Sequence, residues 1–352
     1  MSGLPVLILG GSGYVAGELL RLLAAHPEIG EITAVSGGQA GASVEETFPH
    51  LAGSLPGLRF AALEEADGWF EGRSQAAILC AALHGAAAGL LDRLMAAAER
   101  AGTRFTVVDL SADFRFAEAA AYEAVYAHPH GAPHRLAAFT CGVPELTADI
   151  TTRCVAHPGC FTTAVTLAAT PLADLGVAAG AISVVATTGS TGSGRTPSAG
   201  THHPERHANL YAYKPLAHRH APEMESLIAK ASGREVTVSF VPQSGPFARG
   251  IYATVMATLA EPASKEQVLA AFERRYAGSP FVRVSAEPPR LTEVVGTNRC
   301  RLGVTVSGRQ VVVLSAIDNL VKGAAGGAVQ WLNRLQGWSE TAGLAQPGLG
   351  WI

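Results

Sequence analysis

The stretch AHPGCFTTAV, residues 156–165, sets Cys160 between a glycine and an aromatic residue, ahead of two threonines and an apolar run. The pattern predicts a helix over 160–175, which places this thiol among the free amides of a helix N-terminus, where the macrodipole favours thiolate. A lone cysteine is ordinarily a small packed hydrophobe. Cys80, Cys141, Cys154 and Cys300, within or beside apolar strands and turns, keep that reading. The polar, glycine-bounded entry and a nucleotide loop upstream set Cys160 apart as a candidate nucleophile. Such a thiol needs a proton shuttle, and THHPERHANLYAYKPLAHRHAPE at 201–223 offers His202, His203, His207, His218 and His220. His218 and His220 flank one residue, but no cysteine or carboxylate set of zinc spacing accompanies them, so no metal is expected.

The nucleotide loop lies in ILGGSGYVAGELL, where Gly10, Gly13 and Gly17 fall at the turn from a first strand to a first helix. Small residues there let the backbone approach a pyrophosphate, and the helix amides favour its charge. The next strand ends at Ser36 followed by GGQAG. A site for a cofactor without a 2'-phosphate usually carries an acid here, so its absence favours NADP over NAD. A thiol beside a nicotinamide cofactor points to one reaction type. The thiolate attacks an activated acyl group, phosphate leaves, and the thioester takes hydride to give a thiohemiacetal that collapses to an aldehyde. Arg115 in SADFR and Arg249 in FARG are candidate phosphate donors by bidentate geometry, with surface salt bridges as the plain alternative.

The elements that position these residues are set by periodicity. PVLIL (5–9) and EITAVS (31–36) read as strands around the helix AGELLRLLAAHP, with further strands at 76–83 and 105–111 around an alanine-rich helix. Strands alternating with helices predict an α/β, Rossmann-type, doubly wound parallel sheet. Past about residue 153 the texture becomes α+β, with strands at 180–188, 234–243, 249–259 and 299–318 forming a mostly antiparallel sheet. A terminal helix over 319–337 must bury its apolar stripe and is expected to pack back on the first domain. The expected division is therefore a dinucleotide domain over 1–153, completed by 319–352, and a catalytic, substrate and oligomerisation domain over 154–318.

Composition agrees with this frame. The 352 residues are more than one core comfortably serves, and 48% are hydrophobic against 16% charged. A formal net charge of -3 supplies no basic field for nucleic acid. No stretch reads as a signal peptide or membrane span. Five cysteines without disulfide or metal spacing suit a reducing cytoplasm.

Taken together, GGSGYVAGELLRLL, LHG (83–85), VDLSADFR (108–115), GVPEL (142–146), HPGCFTTA, GSTGSGR (189–195), HRHAPE (218–223), RGI (249–251) and AIDNLVKGAAGGAVQ (316–330) make the chain resemble the N-acetyl-gamma-glutamyl-phosphate reductases. These are NADPH-dependent enzymes of arginine biosynthesis, similar in fold and chemistry to aspartate-semialdehyde dehydrogenases. The resemblance implies Cys160 as nucleophile and His218 as the acid/base at the thiohemiacetal oxygen, with His220 and Glu223 orienting that base or the substrate. It also implies NADP contacts from Gly10, Ser12, Gly13, Tyr14, Ala16 and Ser36, from Gly189, Ser190, Gly192 and Gly194, and from Asn319 and Lys322 closing over the cofactor. Arg115 and Arg249 remain the expected substrate donors. The implied substrate is a small acyl phosphate and the implied assembly a homo-oligomer, a dimer or tetramer. Departures from the family pattern fall at Ala16, where glycine is common, at Leu83, where proline is common, and near Cys141, where an aromatic is common. A sister group acts on aminoadipyl or glutamyl phosphate linked to an acidic amino-group carrier protein, and HHPER with YKP resembles it too. A non-phosphorylating aldehyde dehydrogenase or a non-catalytic NADP-binding regulator would be the readings of other classes.

Overall fold

The computed structural model describes residues 3–148 and 150–350. The chain forms two compact units, one of Met1–Gly142, Asp149–Pro158 and Ala325–Ala345, the other of Val143–Ala148, Gly159–Ala324 and Gln346–Ile352.

The first unit is built on a six-stranded, wholly parallel sheet. Its strands are β1 (Leu4–Leu9), β2 (Ile29–Val35), β3 (Gln75–Cys80), β4 (Arg104–Asp109), β5 (Phe139–Cys141) and β6 (Cys154–Ala156), in the order β2-β1-β3-β4-β6-β5. Continuous apolar runs such as LPVLIL suit strands buried on both faces. Helices α1 (Tyr14–Leu23), α2 (Val44–Thr47), α3 (Ala87–Arg100) and α4 (Ala119–Tyr126) connect them. Leu91, Leu94, Met95 and Ala98 of α3 bury their side chains with Leu7, Ile78 and Val107 of the sheet. Strand order reverses between β1 and β3, and the glycine loop sits at the carboxyl end of that switch point, where open α/β sheets bind ligands.

In the second unit, α5 (Cys160–Leu175) is buried along nearly its whole length, as a helix apolar on all sides must be. Helices α6 (His203–Arg206), α7 (His220–Ser232) and α8 (Lys265–Tyr276) come after it. The seven-stranded sheet contains β7 (Val177–Thr188), β8 (Tyr211–Ala212), β9 (Thr237–Ser244), β10 (Ile251–Leu259), β11 (Val282–Ser285), β12 (Cys300–Ser307) and β13 (Gln310–Ile317). Its order is β11-β12-β13-β10-β7-β9-β8. The β7/β9 and β11/β12 pairs are parallel and the others antiparallel. Alternation along β7, β10 and β13 turns Val184, Ala186, Ala253, Val255 and Val313 into the helix-covered core. Val185, Thr254, Met256, Val312 and Leu314 alternate with those core residues and are only half-buried or exposed.

Two boundaries differ from the cuts read in the sequence. Residues 154–156 belong to the first unit, because β6 hydrogen-bonds between β4 and β5. Residues 319–324 belong to the second unit, and the terminal helix starts later, as α9 (Gly326–Gln336) after a π turn at Val321–Ala325. Helix α9 packs on α1 and β4, with Trp331 fully buried and its Nε1–H donating to the Gly142 carbonyl at 3.0 Å. No helix among the described residues is long and apolar enough to cross a membrane.

Candidate active site

Cys160 opens α5, with Gly159 in extended conformation as its N-cap. The Gly159 N–H donates to Oε1 of Glu223 at 2.6 Å, so the carboxylate on the first turn of α7 fixes the backbone just before the thiol. Glu223, expected to orient the base or the substrate, holds the chain at Gly159 through this bond. On another side, Gly323 of the π turn packs against Cys160, close enough that a Cβ there would meet the cysteine Cβ at 2.7 Å. The turn is closed by Gly323 N–H donating five residues back to the Asp318 carbonyl at 3.0 Å, a widening that often marks functional sites.

His218 lies in a box of rings. Phe161, the residue after the cysteine, is 5.8 Å away between centroids, Tyr213 5.7 Å, Phe240 5.4 Å and His220 4.6 Å. Burial, then the positive charges of Arg219 and Lys214, push the His218 imidazole down to about 4. The ring is therefore neutral at pH 7. His220 N–H donates to His218 Nδ1 at 3.2 Å, which leaves the proton of the neutral ring on Nε2. Tyr213 is a site residue that sequence reasoning missed, although YKP was noted as a motif. Burial first, then the neighbouring Cys160, push its phenol above the ordinary tyrosine range.

The glycine-rich loop after β7 and its supports form the next layer. Gly189 N–H donates to the Gly250 carbonyl at 2.9 Å, and Ser190 N–H to the Phe247 carbonyl at 3.0 Å. A side chain at Gly189 would strike the Ala248 carbonyl oxygen. Gly192 lies in a short 3-10 turn that Gly194 closes in left-handed conformation. Asn319 braces this loop: its Oδ1 accepts from Gly250 N–H at 2.7 Å and its Nδ2 donates to Thr191 Oγ1 at 3.0 Å. Lys322 is fully buried, and its Nζ donates to Glu145 Oε1 at 2.6 Å. Both residues, expected to close over a cofactor, have their side chains bonded within the second unit. Arg249 meets Asp318 Oδ2 with Nε at 3.1 Å and a second nitrogen at 3.0 Å. Asp318 also accepts the N–H groups of Gly296, Leu320 and Val321, so Arg249 joins a structural hub. Glu145 and Asp318 were legible only as members of GVPEL and AIDN.

In the first unit, Gly10 has φ +75, and a Cβ there would lie 2.5 Å from the Ala81 carbonyl oxygen. Gly11 N–H donates to Val35 O at 2.9 Å and Gly13 N–H to Gly10 O at 3.3 Å. Gly13 caps α1 without any side chain over the helix amides. A tight loop at the switch point, where a Cβ on Gly13 would meet nothing closer than the Gly10 carbonyl oxygen at 3.8 Å, fits a pyrophosphate. Tyr14 is 37% exposed, whereas Ala16 is fully buried and faces the core. The Ser12 and Ser36 hydroxyls hydrogen-bond at 3.0 Å, tying the loop to the end of β2. Leu83 is 82% exposed beyond β3. Arg115 is nearly buried, one nitrogen donating to the Leu110 carbonyl at 3.1 Å. Nearby Asp113 accepts Gly85 and Ala88 N–H groups at the start of α3. No cluster of metal-ligating side chains occurs among the described residues.

Comparison with known proteins agrees with this geometry. Residues 5–150 match the family model described as semialdehyde dehydrogenase, NAD binding domain, and 160–319 the model described as semialdehyde dehydrogenase, dimerisation domain. The fold is similar to aspartate semialdehyde dehydrogenase II of Vibrio cholerae, at TM-score 0.69 and 18% identity over 96% of this chain and 99% of that one. The chain is 40% identical to the N-acetyl-gamma-glutamyl-phosphate reductase of Ectopseudomonas mendocina, over 98% of this chain and 99% of the relative. It is 41% identical to that of Pseudomonas entomophila over the same shares. The chain belongs to the N-acetyl-gamma-glutamyl-phosphate reductase family.

Proposed function

We propose that this chain reduces N-acetyl-L-glutamyl 5-phosphate to N-acetyl-L-glutamate 5-semialdehyde, with NADPH as cofactor and Cys160 as nucleophile. The observation that carries the reading is the shared setting of Cys160 and His218, one half-buried at the start of α5, the other a neutral imidazole packed on Phe161. The Cys160 sulfur attacks the acyl carbon; the S–C bond forms, the C–O bond to the phosphoryl group breaks, and the thiol proton leaves with the phosphate. His218 Nε2–H donates to the acyl oxygen, an interaction that strengthens as that oxygen gains charge. Bound NADPH supplies the hydride that converts the thioester to a thiohemiacetal. His218 Nε2–H holds the oxyanion left by hydride addition through a hydrogen bond, and as the C=O re-forms and the C–S bond breaks the aldehyde leaves and the thiolate takes a proton from solvent. Gly10, Ser12, Gly13, Tyr14 and Ser36 would hold the dinucleotide, while Gly189, Ser190, Gly192 and Gly194 form the loop for its nicotinamide end.

NADP rather than NAD is favoured because no carboxylate stands at the end of β2. For the assembly, we assign a homo-oligomer to the half-exposed sheet face of Val185, Thr254, Met256, Val312 and Leu314, which falls within the segment matching the dimerisation model. Five free cysteines suit a reducing cytoplasm.

The test is to monitor reduced cofactor with the acetylated semialdehyde, phosphate and either NADP or NAD. Phosphate-dependent NADP reduction, abolished by Cys160→Ala, is expected. Activity only with a carrier-linked semialdehyde would overturn the substrate assignment, and silence with both would overturn the enzymatic one.

A further inference from the structure

A dianionic 2'-phosphate needs a cation near the end of β2, yet the loop there reads Ser36, Gly37, Gly38, Gln39, Ala40, Gly41, Ala42, with no charge in it. The cation has to come from another part of the unit. We propose that Arg59, more than twenty residues further on, supplies it and sets the preference for NADP; the proposal rests on the cofactor reading above.

Backbone pairing brings Arg59 to the loop. Ser36 N–H donates to the Ala61 carbonyl at 3.1 Å, and Gly41 N–H to the Phe60 carbonyl at 2.8 Å. The loop therefore begins and ends on consecutive residues, and Arg59 is the residue just before them. Phe60 N–H donates back to Ala42 at 3.0 Å, and Arg59 itself bridges to Ser43. Its side chain lies along the loop: one guanidinium nitrogen donates to the Gly41 carbonyl at 2.7 Å. Gly41 has φ +79, a conformation that favours glycine, so the residue presenting that carbonyl is itself constrained.

The charge of Arg59 is not spent inside the protein. It has no carboxylate within ion-pair distance among the described residues, whereas Arg21, Arg73, Arg93 and Arg135 all pair with acids. Of the acids to either side in sequence, Glu65 accepts the Ala62 N–H at 3.0 Å and Glu45 the Gly53 N–H at 2.8 Å. One N–H anchors the guanidinium, and the rest of its fork can take a phosphate. Space is available, since a Cβ on Gly37, Gly38 or Gly41 would meet nothing within 4 Å.

The experiment is calorimetric binding of 2',5'-ADP and of 5'-AMP to the full chain and to Arg59→Gln and Arg59→Lys, with thermal unfolding as a check that these exposed substitutions leave the fold intact. The wild type is expected to bind 2',5'-ADP more tightly. Arg59→Gln should weaken 2',5'-ADP at least tenfold while 5'-AMP changes less than twofold, and Arg59→Lys should recover part of the loss. An equal loss for both ligands, or no loss for either, overturns the assignment of Arg59 while leaving NADP intact. A wild type that does not distinguish the two ligands overturns the NADP reading, and the proposal with it.

Discussion

Gly323 and Cys160 are packed so closely that the smallest added side chain would have its Cβ 2.7 Å from the cysteine Cβ and 3.1 Å from its Cα. The contact joins the π turn after β13 to the first residue of α5, so the position of the thiol depends on an element more than 150 residues away. Gly323→Ala should displace Cys160, lowering kcat about tenfold or more and costing about 1–3 kcal/mol of stability, the usual range for overpacking. Turnover and the rate of Cys160 alkylation check this. Wild-type values for both would show that the contact does not set the nucleophile.

His218 gives a pH dependence of known sign. Its pKa in the folded chain is about 4, below the ordinary 6.5, so between those values the unfolded chain binds a proton that the folded chain does not. Stability contributed by the neutral ring is complete above about 6.5 and is lost as pH falls toward 4. His218→Gln should flatten this part of the curve. Denaturant unfolding at several pH values between 4 and 7 measures it, and identical slopes in the two proteins would contradict the buried, neutral imidazole.

Glu223 holds the Gly159 amide through a 2.6 Å hydrogen bond. Glu223→Gln keeps an acceptor at that place, whereas Glu223→Ala leaves a buried N–H without one, at a cost of about 1–3 kcal/mol. The expected order of kcat is wild type, then Gln, then Ala, with smaller changes in KM. A large rise in KM with kcat preserved would instead assign Glu223 to substrate binding.

Lys322 and Glu145 form an ion pair with side chains 0% and 2% exposed. Removing one partner strands a buried charge, so Lys322→Met alone should cost about 3–5 kcal/mol. Lys322→Met with Glu145→Leu should restore much of that loss. Urea unfolding of the single and double variants decides it; additive losses would show that the two charges are not coupled.

Periodicity and local chemistry were determined by the sequence alone. Alternating apolar strands and helices read out the parallel sheet, the glycine loop at its switch point and α5 beginning at Cys160, because each depends on residues close in the chain. The motif resemblance likewise named the family from the sequence. Tertiary structure decided what each polar group is spent on. Asn319 and Lys322 stand in a motif that reads as cofactor contact, but one braces the Gly189–Gly194 loop and the other is buried on Glu145. Arg249 is held by Asp318, and Glu223 by the Gly159 amide. Tyr213 gains significance only beside His218 and Cys160. Arg59 gains its own only where Phe60 and Ala61 close the loop after β2. A sequence displays which groups can donate, accept or carry charge. Which of them remain available after folding depends on partners far along the chain, brought within hydrogen-bonding distance only by packing.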